Sequence, residues 1–160
     1  MRRSHALAGA RAFRGLRPTV QETAYTCGPA ALQCVLRLAG RRTTERCLAQ
    51  LLKTSTRHGT TPAAMLAGAT ALRLRPELYR YLTLRSLVAW IKRGHPVIVL
   101  WNADGAHWAV AVGYDAGRIL LADPADRSGL CAVNQRSFRQ HWSTRVAGVS
   151  YHGLGIVCKV

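Results

Sequence analysis

Lysine is almost absent from this chain. Only Lys53, Lys92 and Lys159 occur, although Lys and Arg together number 23 in 160 residues. Acidic side chains are also scarce, seven in all, which leaves a formal net charge of +16. No tight basic block, no interleaved aromatics and no nucleic-acid module accompany that charge, so no specific nucleic-acid partner is expected. The charge either favours an acidic partner or reflects arginine standing in for lysine across solvated faces. The scatter of the arginines leaves both readings open. No apolar run approaches the ~20 residues of a membrane helix. The five cysteines (27, 34, 47, 131 and 158) include no Cys-x-x-Cys pair and no His/Cys zinc spacing. Their odd number argues against a complete disulfide framework and for a reducing compartment. No metal or cofactor is expected.

The start, "MRRSHALAGARAFRG", has too short and broken an apolar patch for a signal peptide. It reads as a loose basic arm over residues 1–16, ahead of one cytoplasmic domain over 17–160. Hydrophobic content of 49% and charged content of 19% suit a globular domain of that size.

The patterning changes partway along. From Cys27 the run Ala30, Ala31, Leu32, Cys34, Val35, Leu36, Leu38 predicts a strongly apolar helix ending at Gly40. Such a helix belongs in the middle of a domain, and Cys34 reads as core packing. "TTERCLAQLL" predicts a second helix with a threonine cap and a stripe of Leu48, Leu51 and Leu52. Pro62 opens a third, to about Ala71. "LRLRPELYRYL" predicts a short strand with its arginines outward. Thr83 caps a helix whose stripe is Leu84, Leu87, Val88 and Ile91, ended by Gly94. Strands follow at 96–101, 107–115 and 118–124, the last two joined as a hairpin through Asp115, Ala116 and Gly117. A helix near "NQRSFRQHW" and a strand in "GLGIVCKV" finish the chain. The expected class is α+β, a helical front half packed on an antiparallel sheet.

Cys27 admits two readings: a small core residue, or a nucleophile. A nucleophilic cysteine needs a favoured thiolate, a base in reach and donors for an oxyanion. Helix N-termini favour thiolate through unpaired N–H groups and the helix dipole. Gly28 would admit a substrate backbone, and Pro29 is tolerated in a first turn. Of the six histidines, His5 falls in the arm, His58 in a polar loop and His95 before Pro96, while His141 and His152 have ordinary packing or surface explanations. His107 instead opens a strand. Asp123 closes the strand paired with it, so a hairpin brings both to one open end. A carboxylate there would orient the imidazole, as in a catalytic triad. Gln21, six residues before Cys27, could join the Cys27 N–H in an oxyanion hole. Glu22 is less suited, since a carboxylate repels developing negative charge.

"QETAYTCGPAALQCVL" together with "HWAVAVGYDAGRILLADPA" resembles the papain-like bacterial peptidases that remove double-glycine leader peptides. Those enzymes process bacteriocin-type precursors and often form the N-terminal domain of peptide-exporting ABC transporters. The resemblance spans roughly residues 18 to 160. It implies a papain-like fold, with Cys27 as nucleophile, His107 as general base and acid, Asp123 as orienter and Gln21 in the oxyanion hole. It also implies a leader-bearing peptide precursor as substrate, and a peptide-export ABC transporter as partner. Two other classes stay open: a non-catalytic peptide-binding module of the same fold, and a papain-like cysteine peptidase or toxin with another substrate. A basic nucleic-acid or membrane-surface protein with an accidental triad is a further alternative.

Overall fold

The computed structural model describes Phe13 and residues 16–160. The expected arm over 1–16 otherwise lies outside the described residues. Phe13 itself is buried in the core.

Helix α1, Cys27–Leu38, is buried continuously from Cys27 to Leu36, as its all-round apolar pattern requires. It stops in two hydrogen bonds, Gly40 N to Arg37 O and Arg41 N to Leu36 O. Gly40 takes the left-handed φ of 71° that this ending needs. Helices α2 (Glu45–Leu51), α3 (Pro62–Ala71) and α4 (Leu84–Lys92) each start under a threonine hydroxyl. Thr44, Thr61 and Thr83 accept from the N–H three residues on, relieving a first-turn donor. The expected α2 stripe holds only in part: Leu48 and Leu52 are buried, whereas Leu51 is 43% exposed. Leu48 and Leu52 lie four apart and share a face; Leu51 is turned off it.

The strands are β1 (Pro76–Tyr79), β2 (Val97–Asn102), β3 (Ala106–Asp115), β4 (Arg118–Ala122), β5 (Leu130–Asn134), β6 (Ser143–Val146), β7 (Val149–His152) and β8 (Gly155–Cys158). A short helix α5, Gln135–His141, separates β5 from β6. Six strands form one sheet in the order β1-β8-β2-β3-β4-β5, every neighbouring pair antiparallel. Strand β1 is shorter than expected because Arg73 and Arg75 take left-handed φ values of 57° and 45°. The β3–β4 turn is Ala116-Gly117, with φ of 46° and 78°, the geometry whose twist suits a two-residue hairpin. β6 and β7 pair as a separate hairpin over Ala147-Gly148, with φ of 47° and 83°. That second hairpin and β5 are additions to the sequence-based expectation. The repeated Ala-Gly dipeptide between short strand-like runs was the available signal for the hairpin.

Val97–Leu100 in β2 and Trp108–Val112 in β3 are buried throughout. These central strands read as continuous apolar runs because α1 and α4 pack against β3. The sheet core therefore fixes the place of two strand ends, the start of β3 and the exit of β4.

Candidate active site

Cys27 is the first residue of α1 and is 7% exposed. Thr26 occupies the cap position, yet its side chain does not cap the helix. Its hydroxyl turns back to Thr23, accepting the Thr23 N–H at 3.1 Å and lying 2.9 Å from the Thr23 hydroxyl. Pro29 has no N–H to offer, and no acidic residue lies in the first turn. Among the described residues, the N–H groups of Cys27 and Gly28 meet no protein acceptor. A helix N-terminus beside a thiol is thus left open to an anion.

His107 enters from β3, where it is the cross-strand partner of Trp101. Its Nε2 lies 2.6 Å from Asp123 Oδ1, and both side chains are 12% exposed. Burial pulls the imidazole pKa down. The hydrogen bonds and charges of Asp123 and Cys27 outweigh that and raise it from 6.5 to about 9. Burial likewise pushes the Asp123 carboxyl up, but the hydrogen bond and charge of His107, with the Ala125 N–H, bring it net below its ordinary value. The ionised carboxylate accepts, so Nε2 carries the proton and donates. Nδ1 is the nitrogen left for the thiol. Asp123 Oδ1 also accepts the Ala125 N–H at 2.8 Å, which fixes the carboxylate in the turn leaving β4.

Gln21 is tied to the same turn, its backbone N–H donating to the Pro124 carbonyl at 2.9 Å. Its side-chain Nε2 donates one hydrogen to Thr23 O at 2.7 Å; a primary amide retains a second. Gln21 Oε1 is buried without a partner. Glu22 points elsewhere: its N–H donates to Glu45 Oε1, a buried carboxylate of α2, and its side chain is exposed. The structure thus pairs His107 with Asp123, sets Cys27 near enough for its thiol to raise the imidazole, and hangs the Gln21 segment on the exit of β4.

Within residues 16–151 the sequence matches the family described as the peptidase C39 family. The chain belongs to the peptidase C39 family. At 37% identity over 66% of this C39 chain and 70% of the relative, it is similar to an uncharacterised protein of Methanothermobacter thermautotrophicus. A relative from Methanothermobacter marburgensis is 36% identical over similar shares, 66% and 69%. The fold matches the peptidase domain of Streptococcus ComA, a bifunctional ABC transporter involved in quorum sensing. That match has a TM-score of 0.73 and 20% identity over 91% of this chain and 99% of the other. It also matches a double-glycine-motif protease from an AMS/PCAT transporter, solved with its leader peptide (TM-score 0.66, 21% identity, 90% and 94% covered). A C39-like peptidase from Bacillus anthracis gives 0.69 at 16% identity, again over 90% and 94%. The papain-like α+β class expected from the sequence is therefore the class observed.

Three of the other four cysteines have thiols suppressed by their surroundings. Burial raises the thiols of Cys34 and Cys158 to about 12. Burial, with Asp123 and Asp126 nearby, raises Cys131 to about 11. Cys47 is exposed on α2. His95, His141 and His152 have partners or packing away from Cys27; His5 lies outside the described residues.

Sequence reasoning missed what frames the site. Gly28 was expected to make room for substrate, but a side chain there would strike Thr60, with its Cβ 2.4 Å from Thr60 Oγ1. The space at Gly28 is taken by the protein's own loop. Thr60 is held by the Thr54 hydroxyl at 2.7 Å, and its carbonyl accepts the buried Trp108 indole N–H at 2.8 Å. One residue after the imidazole, Trp108 thus ties β3 to the loop beside α1. A cavity of about 270 Å³ opens over Cys27, lined by Ala24, Tyr25, His58, Ala106 and the β6–β7 turn among others. Nothing local in the sequence placed His58 or that turn beside Cys27. Among the described residues no helix is long and apolar enough to cross a membrane, and no group of three or more His, Cys, Asp or Glu could hold a metal ion.

Proposed function

We propose that this C39 chain is a cysteine endopeptidase that cleaves a peptide precursor after a leader ending in a Gly-Gly type motif. The observation that carries the reading is the His107–Asp123 pair set beside Cys27 at an uncapped helix N-terminus. In the proposed reaction, Cys27 Sγ attacks the scissile carbonyl as thiolate, its proton having passed to His107 Nδ1. The oxyanion takes the Cys27 N–H and the second Gln21 Nε2 hydrogen, donors set before charge develops. His107 then protonates the leaving amine, and the C–N bond breaks to leave a thioester on Cys27. Water, deprotonated by His107, attacks the thioester and frees the carboxylate and the thiol. Asp123 keeps the ring in one tautomer throughout.

The substrate class is supported by family membership and by the solved double-glycine-motif protease with its leader peptide. A peptide-exporting ABC transporter, in the same chain or apart, is the proposed partner, and the cytoplasm the proposed compartment. The test is incubation with a synthetic precursor whose leader ends in Gly-Gly, read by mass spectrometry. Cleavage at that bond is expected for the unaltered protein, with loss in Cys27→Ala and in His107→Ala. Cleavage surviving both changes sinks the assignment. Tight precursor binding without cleavage, alike in the unaltered protein and Cys27→Ala, would make this a docking module instead.

A further inference from the structure

The cavity over Cys27 is unevenly charged. Arg57, from the Ser55–Gly59 loop, and Arg145, from β6, line its wall with His58, and no Asp or Glu lines it. Both arginines are exposed, and among the described residues neither forms an ion pair. Arg145 Nε donates to Gly148 O at 3.1 Å within its hairpin, which holds the guanidinium at the turn while leaving its terminal N–H groups for a guest. The acid of the site, Asp123, is already committed to His107. Two guanidinium groups lining one cavity with a thiol are suited to recognising a carboxylate, which each can bind in parallel hydrogen bonds.

We propose that this cavity is an anion-selective subsite, taking an Asp or Glu side chain of the bound peptide close to the cleaved bond. The reach follows from size: a compact space of 270 Å³ is about 8 Å across, the span of two or three extended residues. The guest's identity as a peptide rests on the peptidase reading, whereas the charge preference of the cavity does not. Arg57 and Arg145 select among guests here and take no part in bond breaking.

The test uses three alkylating dipeptide amides, bromoacetyl-Gly-Asp, bromoacetyl-Gly-Asn and bromoacetyl-Gly-Lys. The Asp and Asn probes are near isosteres that differ in charge, the Lys probe reverses the charge on a longer stem, and none needs peptidase activity to react. Alkylation is followed at Cys27 by peptide mapping, with the exposed Cys47 as reference thiol in the same molecule. Two nearby positive charges should make the Asp probe about tenfold faster than the Lys probe at Cys27, relative to Cys47. Arg57→Glu should shrink that preference, and Arg57→Glu with Arg145→Glu should abolish or reverse it. Arg85→Glu, an exposed change in the first turn of α4 outside the cavity, should leave it intact. Equal rates for the three probes at Cys27, or a preference no more sensitive to the cavity arginines than to Arg85, overturns the subsite. The Gly-Gly precursor assay reads the other proposal separately: flat probe rates with cleavage intact remove only the subsite. A charge preference without cleavage removes only the leader-peptidase function.

Discussion

At the scale of single residues, an imidazole held between a thiol and a carboxylate keeps its proton further up the pH scale than one facing water. For His107 that means a proton retained to about 9. In the proposed mechanism the reactive form pairs thiolate with imidazolium, so kcat/KM should fall on the alkaline side near 9. In Asp123→Asn that limb should move down toward 6.5, because the largest raising influence on the ring is gone. An alkaline limb unmoved by the substitution would remove Asp123 from its proposed role. Stability follows the same group. Its folded pKa lies above the unfolded one, so its contribution is whole below 6.5 and is lost as pH rises through about 9. That contribution is at most about 3–4 kcal/mol, since one pH unit corresponds to about 1.36 kcal/mol. Melting temperatures measured from pH 6 to pH 10 should therefore fall more steeply for the unaltered protein than for His107→Gln. Gln21 has a different signature. Gln21→Ala removes one oxyanion donor, and a fall in kcat of about a hundredfold with KM little changed is expected from rapid kinetics. An equal loss in Gln21→Glu would fit the repulsion argued for Glu22.

At the scale of elements, the site is a meeting of three ends: the start of α1, the start of β3 and the exit of β4. The meeting is braced through Thr60, which touches α1 at Gly28 and β3 at Trp108. Gly28→Ala sets a methyl group against a threonine that two hydrogen bonds hold in place. A loss of about 1–3 kcal/mol is expected by denaturant titration, together with slower alkylation of Cys27 as α1 is displaced. Much of this level was legible in the sequence. Threonine caps, the glycine stops and the Ala116-Gly117 turn all follow from local chain geometry, which is why α1, α3, α4 and the β3–β4 hairpin lie where expected. β5 and the β6–β7 hairpin were not legible in the same way. Their residues are largely exposed or half-buried and short-lived in pattern, so no alternation marks a buried face.

At the scale of the whole molecule, net charge of +16 sets like charges against one another across the folded surface. Raising salt screens that repulsion, so the melting temperature should climb between about 20 and about 300 mM sodium chloride. A flat or falling curve would mean that the charges are already locally compensated. Sequence order by itself determined the class of the fold and pointed to the residues proposed to carry the chemistry. A thiol opening an apolar helix, an imidazole opening a strand and a carboxylate closing the next are properties of local pattern, and a short hairpin necessarily returns His107 and Asp123 to one end. Tertiary structure alone decided that Cys27 lies beside that pair, since Cys27 and His107 stand 80 residues apart in the chain and α1 and β3 join only through core packing. It also decided what surrounds them: Thr60 in the space at Gly28, and Arg57 with Arg145 around the opening. Long-range contacts of that kind are set by which faces the core must bury, and a surface loop carries no periodic signal of the neighbour it will meet.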